Sequence, residues 1–437
     1  LILNYELFIV RKIAFNFQKG FSPFVVKIAL AAVAVSVTTM IVATSLINGF
    51  QKEIRAKVFG FWAHVNIAPF SLTKSYEESA IYKNQSFYIN PNEIPEAEHI
   101  QATAFKAGLL KTRNSFDGIM LKGVGNDFNT KNFMQYLKAG TFLSADSNVA
   151  YKQIIVSKET ANRLQLAVGD KVTVNFMGKQ VKARSFRICG IYETGLEEFD
   201  KQFALSSLSV IQDLNGWGRD SVGSFEVFLK EKNLFKSRSI DYFLTLFGSL
   251  LSEENYELLS KDPLDFIADK IYYDVAESGL DVQTIKYQNP GIFDWLELQT
   301  MNEIIILMLM ILVAAINMIT ALLIIILERT NMIGLLKAMG SNNASVRRIF
   351  VYYSIAIVGG GLLIGNVIGM SLCILQQKFG IISLPQESYY LSKAPIDLQL
   401  GWIATLNLLT LIVCSLFLLL PSRIISGISP LKAIRFS

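Results

Sequence analysis

The chain has 437 residues, of which 51% are apolar and 18% charged, with a formal net charge of +5 at pH 7. That apolar share is only slightly above the soluble average, but long charge-free runs sit near the N-terminal end and in the last third, which excludes a simple soluble protein. The basic excess gathers beside those runs, so it reports membrane topology rather than nucleic-acid binding.

In chain order, residues 5–17 mix apolar side chains with Arg11 and Lys12, the pattern of a short amphipathic helix on a membrane face. Segment 1–23 is assigned to the cytoplasm. Ser22-Pro23 then supplies a cap and a first-turn proline for the first span. A bilayer core about 30 Å thick needs about 20 mostly apolar residues per helix. Four stretches qualify as spans: 24–48, 301–327, 349–377 and 398–421. One such run could be a buried core helix; four in one chain argue for membrane insertion. The first run is longer than a signal-peptide core and lacks a small-x-small cleavage site after it. It passes directly into Asn48-Gly49-Phe50-Gln51-Lys52-Glu53-Ile54-Arg55, a helix continuing beyond the membrane.

Residues 49–300 read as a large α+β domain. Its outer part comprises 49–145 and 223–297, with a β-rich part, 146–222, inserted between them. Val65–Ala68, Ile154–Val156, Lys171–Phe176, Val181–Ile188, Phe225–Leu229 and Val282–Ile285 read as strands. Ser157 caps a helix running to Leu166, Gly169-Asp170 makes a turn, and a further helix is expected around 263–276. Segment 240–257 suits an amphipathic helix too short to span. Of the three cysteines, Cys373 and Cys414 lie in spans and only Cys189 lies in the domain, so no disulfide forms within it.

Orientation follows from Lys and Arg near span ends. The N-terminal stretch through Lys27, the 328–348 loop and the 422–437 tail together hold eleven basic and two acidic residues. Both termini and that loop are therefore expected in the cytoplasm, with 49–300 and the short 378–397 loop outside.

The 328–348 loop carries Met332-Ile333, Leu335-Leu336 and Met339 at helical spacing, then Gly340 as a stop and Ser341 as the next helix start. Such a helix needs either a partner groove or the lipid headgroups to cover its apolar side. Gly361, Gly365 and Gly369 form a ridge on the third span, suited to close packing within the chain or at a subunit seam. Glu303, at the edge of the second span, is expected to snorkel. Glu197, Glu198 and Asp200 read as a solvated loop. His64 and His99 sit in no metal-spacing motif, and no nucleophile triad stands out.

The run from Glu328 to Phe350 resembles the coupling segment of FtsX-like permeases. Within them, Asn48–Arg55, Val168–Val172, Gly190–Gly195, Leu384-Pro385 with Tyr389-Tyr390-Leu391, and the ending Ser429–Arg435 resemble the LolC/LolE lipoprotein-releasing branch. The resemblance runs nearly end to end. It implies four transmembrane helices with an extracytoplasmic domain of the MacB-like periplasmic type, in a bacterial inner membrane. It further implies that a separate ABC ATPase, holding ATP and Mg, docks on Glu328, Arg329, Ile333, Gly334, Leu335, Lys337, Ala338, Met339 and Gly340. A lipoprotein would enter a cavity lined mainly by the first two spans, with Thr44, Asn48, Phe50 and Met301 near its mouth, and pass to a periplasmic carrier. Family members with a long hook hairpin grip that carrier; here the hairpin shortens to about Phe176–Lys179. A second permease copy, identical or homologous, completes the path. No G-x-x-x-x-G-K-[ST] loop occurs, so the chain itself is expected to bind no cofactor and to be no enzyme. Competing readings are a MacB-like efflux or mechanotransmission permease, a division scaffold activating cell-wall hydrolases, and, with no motif in support, a membrane enzyme.

Overall fold

The computed structural model describes residues 5–6, 8–10, 22–71, 77, 79–112, 115–177, 181–230, 262–276, 279–385, 389 and 391–422. Most of the N-terminal amphipathic segment, the hairpin tip at 178–180, segment 240–257, Tyr390 and the tail from 423 lie outside the described residues. The chain divides into two units: Leu1–Lys52, Trp295–Ser383 and Lys393–Ser437; and Glu53–Asp294 with Leu384–Ser392.

Four helices are long and apolar enough to cross a membrane: Phe24–Phe61, Pro290–Glu328, Asn343–Phe379 and Leu400–Phe417; the first unit holds the first of them up to Lys52 and the second from Trp295. The first begins at Ser22 and runs 40 residues without a break, about 60 Å at 1.5 Å per residue. That is roughly twice a hydrocarbon core, so apolar content rather than helix length marks the span. The second starts on Pro290, whose missing N–H costs nothing in a first turn. The third is capped by Asn342, whose side chain accepts from Ser345 N at 2.7 Å. The cap therefore falls one residue beyond the expected Ser341. The helix stops at Gly380, whose φ of +58° a residue with Cβ adopts only under strain.

Two small contact systems hold these helices together. The glycine ridge packs on the first span: a Cβ at Gly365 would lie 2.7 Å from Ala34 O, and one at Gly361 2.7 Å from Val33 Cβ. Thr38 Oγ1 also donates to Gly365 O at 3.1 Å. Asn366 and Asn407 exchange amide hydrogen bonds at 2.9 Å between the third and fourth spans. Side-chain amides grip across helices in this way where no water competes. The described N-terminal residues join the same unit: Ser345 Oγ donates to Glu6 Oε1 at 3.1 Å, and Arg348 pairs with Glu6 at 3.5 Å.

The second unit is built on one ten-stranded sheet. Its strands are β1 (Val65–Pro69), β3 (Ala97–Lys111), β4 (Phe116–Val124), β5 (Leu137–Gly140), β6 (Gln153–Ser157), β7 (Lys171–Phe176), β8 (Lys182–Tyr192), β9 (Phe203–Ser207), β11 (Ser224–Leu229) and β12 (Leu280–Thr284); β2 (Ile81–Tyr82) and β10 (Ser221–Val222) pair separately. The main path runs β12-β1-β11-β3-β4-β9-β6-β8-β5, with β7 between β3 and β8. β4–β9 and β6–β8 are parallel and the other pairs antiparallel. The 146–222 segment, set apart in the sequence, thus shares its sheet with the flanking halves. Alternation on β7 puts Val172, Val174 and Phe176 inside, as a half-buried strand requires. Ser157 caps its helix as expected, its Oγ accepting from Thr160 N at 3.0 Å. That helix ends at Leu164, two residues short of expectation, because Gln165 turns left-handed at φ +53°.

The core gathers Phe61, Trp62, Phe105, Phe133, Tyr192, Phe199 and Phe203 at ring separations of about 5–6.5 Å, close enough for edge and stacked contacts. Phe61, which belongs to this second unit, is the last residue of the helix that begins at Ser22.

Candidate functional site

The loop between the second and third spans folds as the helix Thr330–Ala338. Its apolar side chains do not form one stripe. Ile333 (0% exposed), Gly334 and Leu336 (6%) turn inward, and the helix touches the third span. Leu335 (56% exposed) and Met339 (66%) turn outward together with Asn331 and Ala338. Positions 331, 335, 338 and 339 fall on one helical face. Glu328 is the exposed last residue of the second span, and Arg329 and Lys337 are half-buried beside the inward face.

The stop is chemically defined. Ser341 N donates to Leu336 O and Gly340 N to Lys337 O, both at 3.0 Å, with Gly340 at φ +95°. This paired pattern around a left-handed residue is a Schellman motif. It turns the chain sharply, so the short helix lies between two span helices, and among the described residues its outer face is exposed. A small apolar platform on a rigid mount is suited to receive another protein's groove.

The residues assigned to the cavity mouth part company. Thr44 and Asn48 are buried within the helical unit and present no surface of this chain to a ligand. Phe50 is half-buried and Met301 is 51% exposed. Glu303 does not snorkel; it is fully buried. Asp200 is buried too, accepting from Thr194 N (3.1 Å), Thr194 Oγ1 (2.8 Å) and Gly195 N (2.9 Å), so it pins a turn instead of standing in a solvated loop. Burial still raises its pKa, as desolvation outweighs those donors.

The Asn48–Lys52 run proves to be a junction. Gly49 lies against segment 394–399, where an added Cβ would stand 2.4 Å from Pro395 O. Gln51 Nε2 donates to Thr300 Oγ1 at 2.7 Å and to Leu296 O at 3.2 Å on the second span helix. Lys52 Nζ reaches Asp397 Oδ1 at 3.0 Å. Sequence reading missed Thr300, Gln376, Pro395 and Asp397. Only Asp397, a lone acid just before a long apolar run, gave a signal that could have been followed.

Among the described residues no group of three or more His, Cys, Asp or Glu could hold a metal ion. The buried thiol of Cys189 is pushed up to about 11 by desolvation, so it is a poor nucleophile at neutral pH.

Residues 304–430 match the FtsX-like permease C-terminal family, and residues 28–234 match the MacB-like periplasmic core domain. The lipoprotein-releasing system transmembrane protein LolC of Neisseria meningitidis serogroup B is 23% identical over 436 residues, covering 96% of each chain. LolE of Haemophilus influenzae is 22% identical over 421 residues, covering 91% of each. The periplasmic region of MacB from Actinobacillus actinomycetemcomitans aligns with 54% of this chain and 96% of its own, at 14% identity and a TM-score of 0.30. The two family matches thus take the sheet domain and the later spans in turn, and the chain is similar almost end to end to LolC- and LolE-named transmembrane proteins, with an FtsX-like permease C-terminal region and a MacB-like periplasmic core region.

Proposed function

We propose that this permease couples ATP hydrolysis by a separate ABC ATPase to the extraction of lipoproteins from the inner membrane toward a periplasmic carrier. The observation that carries the proposal is the outward Leu335–Met339 face on a helix mounted between two spans. The ATPase docks there, and its closure moves the span helices. A lipid anchor costs about 0.8 kcal/mol per methylene to withdraw, so three acyl chains require an apolar path and an outside energy source. ATP and Mg belong to the partner; this chain carries no P-loop sequence for them. The clustering of Lys and Arg supports a cytoplasmic position for the coupling helix and both termini. A second permease copy, identical or homologous, completes the translocation path.

The test is co-purification. Leu335→Asp and Met339→Asp should each abolish association with the ATPase while the permease stays folded in detergent. Full retention of the ATPase by both variants would remove this helix as the docking site. Depletion of the protein should in turn strand lipoproteins in the inner membrane; normal sorting under depletion would overturn the substrate assignment.

A further inference from the structure

We propose that segment 394–399 is a releasable strap across the first span helix and that the Lys52–Asp397 pair is its catch. The strap follows one face of the helix through three successive turns. Asp397 N donates to Ser45 O at 3.0 Å. One turn on, Gly49 lets Pro395 O come so near that a Cβ would stand 2.4 Å away. One turn further, Lys52 Nζ meets Asp397 Oδ1 at 3.0 Å. Positions 45, 49 and 52 share a face by helical spacing.

The strap is hinged at a firm point. Gln376, buried near the end of the third span, donates to Ala394 O (3.1 Å) and Ile382 O (3.2 Å) and accepts from Ile382 N (2.9 Å). Ala394 N returns a bond to Ile382 O at 3.0 Å, and Ser383 bridges to Lys393. Beyond the catch, Gln399 Nε2 donates to Asp397 Oδ2 at 2.8 Å and the fourth span begins at Leu400.

The grips on the first span at this level are unequal. Toward the second span, buried Gln51 makes two hydrogen bonds whose loss would leave amide hydrogens in an apolar interior. Toward the strap, the side-chain grip is an ion pair with Lys52 62% exposed and Asp397 20% exposed, beside the Asp397 N–Ser45 O hydrogen bond. Water screens such a pair, and it resists opening weakly. The solvent-screened side-chain grip is on the strap side, and the proposed parting lies there, with the first and second spans staying together as a pair. What this opening serves rests on the transporter reading: it frees one flank of that pair when the ATPase closes.

The experiment places a cysteine at Ala394, which is 5% exposed, in the full chain reconstituted in lipid vesicles. Labelling by a membrane-impermeant maleimide reports strap opening; the three native cysteines are buried. Lys52→Glu and Asp397→Lys should each speed labelling by about threefold or more, the scale on which an exposed ion pair shifts an equilibrium. The charge-swapped double variant should return it toward the parent rate. An unchanged rate in Lys52→Glu, or a swap that stays fast, overturns the catch. A second arm links cysteines at positions 52 and 397 with a short reducible bis-thiosulfonate, in complex with the ATPase. ATP-driven release of a triacylated lipopeptide should stop and recover on reduction. Undiminished release from the linked protein overturns strap opening. No release from the unlinked parent overturns the transporter reading alone, and the labelling result stands apart from it.

Discussion

Lys122 Nζ and Glu226 Oε1 lie 2.6 Å apart with both side chains sealed from solvent. Lys122 also donates to Phe61 O at 2.8 Å and sits over the rings of Phe61, Trp62 and Phe105. Gln101 Nε2 donates to the other carboxylate oxygen of Glu226 at 2.6 Å. Within the second unit a buried cation thus ties the carbonyl of Phe61 to strands β4 and β11. Burial alone would lower the Lys122 pKa, and it does so against the pull of Glu226.

Breaking one side of this pair leaves the other charge buried without its counterion, which costs about 3–5 kcal/mol. Lys122→Ala should therefore lower the unfolding midpoint of the sheet domain sharply. Replacing both partners by apolar residues, Lys122→Met with Glu226→Leu, should recover a good part of that loss. Thermal unfolding followed by the environment of Trp62 checks both; a double variant no better than Lys122→Ala counts against the ion-pair explanation.

His64 makes the domain acid-sensitive. It is buried, and its Nδ1 accepts from Leu229 N at 3.1 Å, which requires an unprotonated nitrogen. Desolvation depresses its pKa from 6.5 to about 4. Between those values the unfolded chain binds more protons than the folded one, so stability falls as pH falls. Going from pH 7 to pH 5 should cost about 2 kcal/mol from this residue. His64→Gln should flatten that slope in denaturant titrations at the two pH values; an identical slope in the variant would refute the assignment.

The glycine ridge makes a prediction of sign. Alanine is the better helix former by about 0.5–1 kcal/mol. At Gly359 nothing lies within 4 Å of an added Cβ, so Gly359→Ala should be neutral or stabilising. At Gly365 the new methyl would meet Ala34 O at 2.7 Å and Val37 Cβ at 2.8 Å. Gly365→Ala should cost about 1–3 kcal/mol as an overpacked contact. Thermal stability in detergent distinguishes the two, and equal behaviour would mean the first and third spans do not pack through this ridge.

The coupling helix separates folding from docking by face. Ile333→Asp buries a charge among apolar side chains and should reduce the yield of folded protein. Leu335→Asp places the same charge on an exposed face and should leave yield and melting unchanged while the ATPase is lost. Size-exclusion profiles alongside co-purification check the pair; poor folding of Leu335→Asp would show that its face is covered within the chain.

Much of the helical unit was legible in the sequence because apolar content over about 20 residues reports directly on the solvent a helix must enter. Local turn chemistry was legible for the same kind of reason: Gly340 and Ser157 act on backbone groups within four residues. The apolar stripe of 330–339 misled because hydropathy counts Ile333 and Leu335 alike, and only a neighbouring helix decides which is covered. For Glu303, expected at the interface, and Asp200, expected in a solvated loop, a carboxylate's cost of burial is visible in sequence, whereas the packing around it is not.

The sequence by itself determined the four spans, the basic bias of their flanks, and the α+β character of the domain, since each rests on composition or on periodicities of a few residues. Tertiary structure alone decided that 146–222 joins the main sheet, that Gly365 meets Ala34, and that Lys122 meets Glu226. The same holds for Lys52 and Asp397, 345 residues apart in the chain. Contacts between distant segments depend on how the whole backbone closes, and no local pattern of residues encodes that closure.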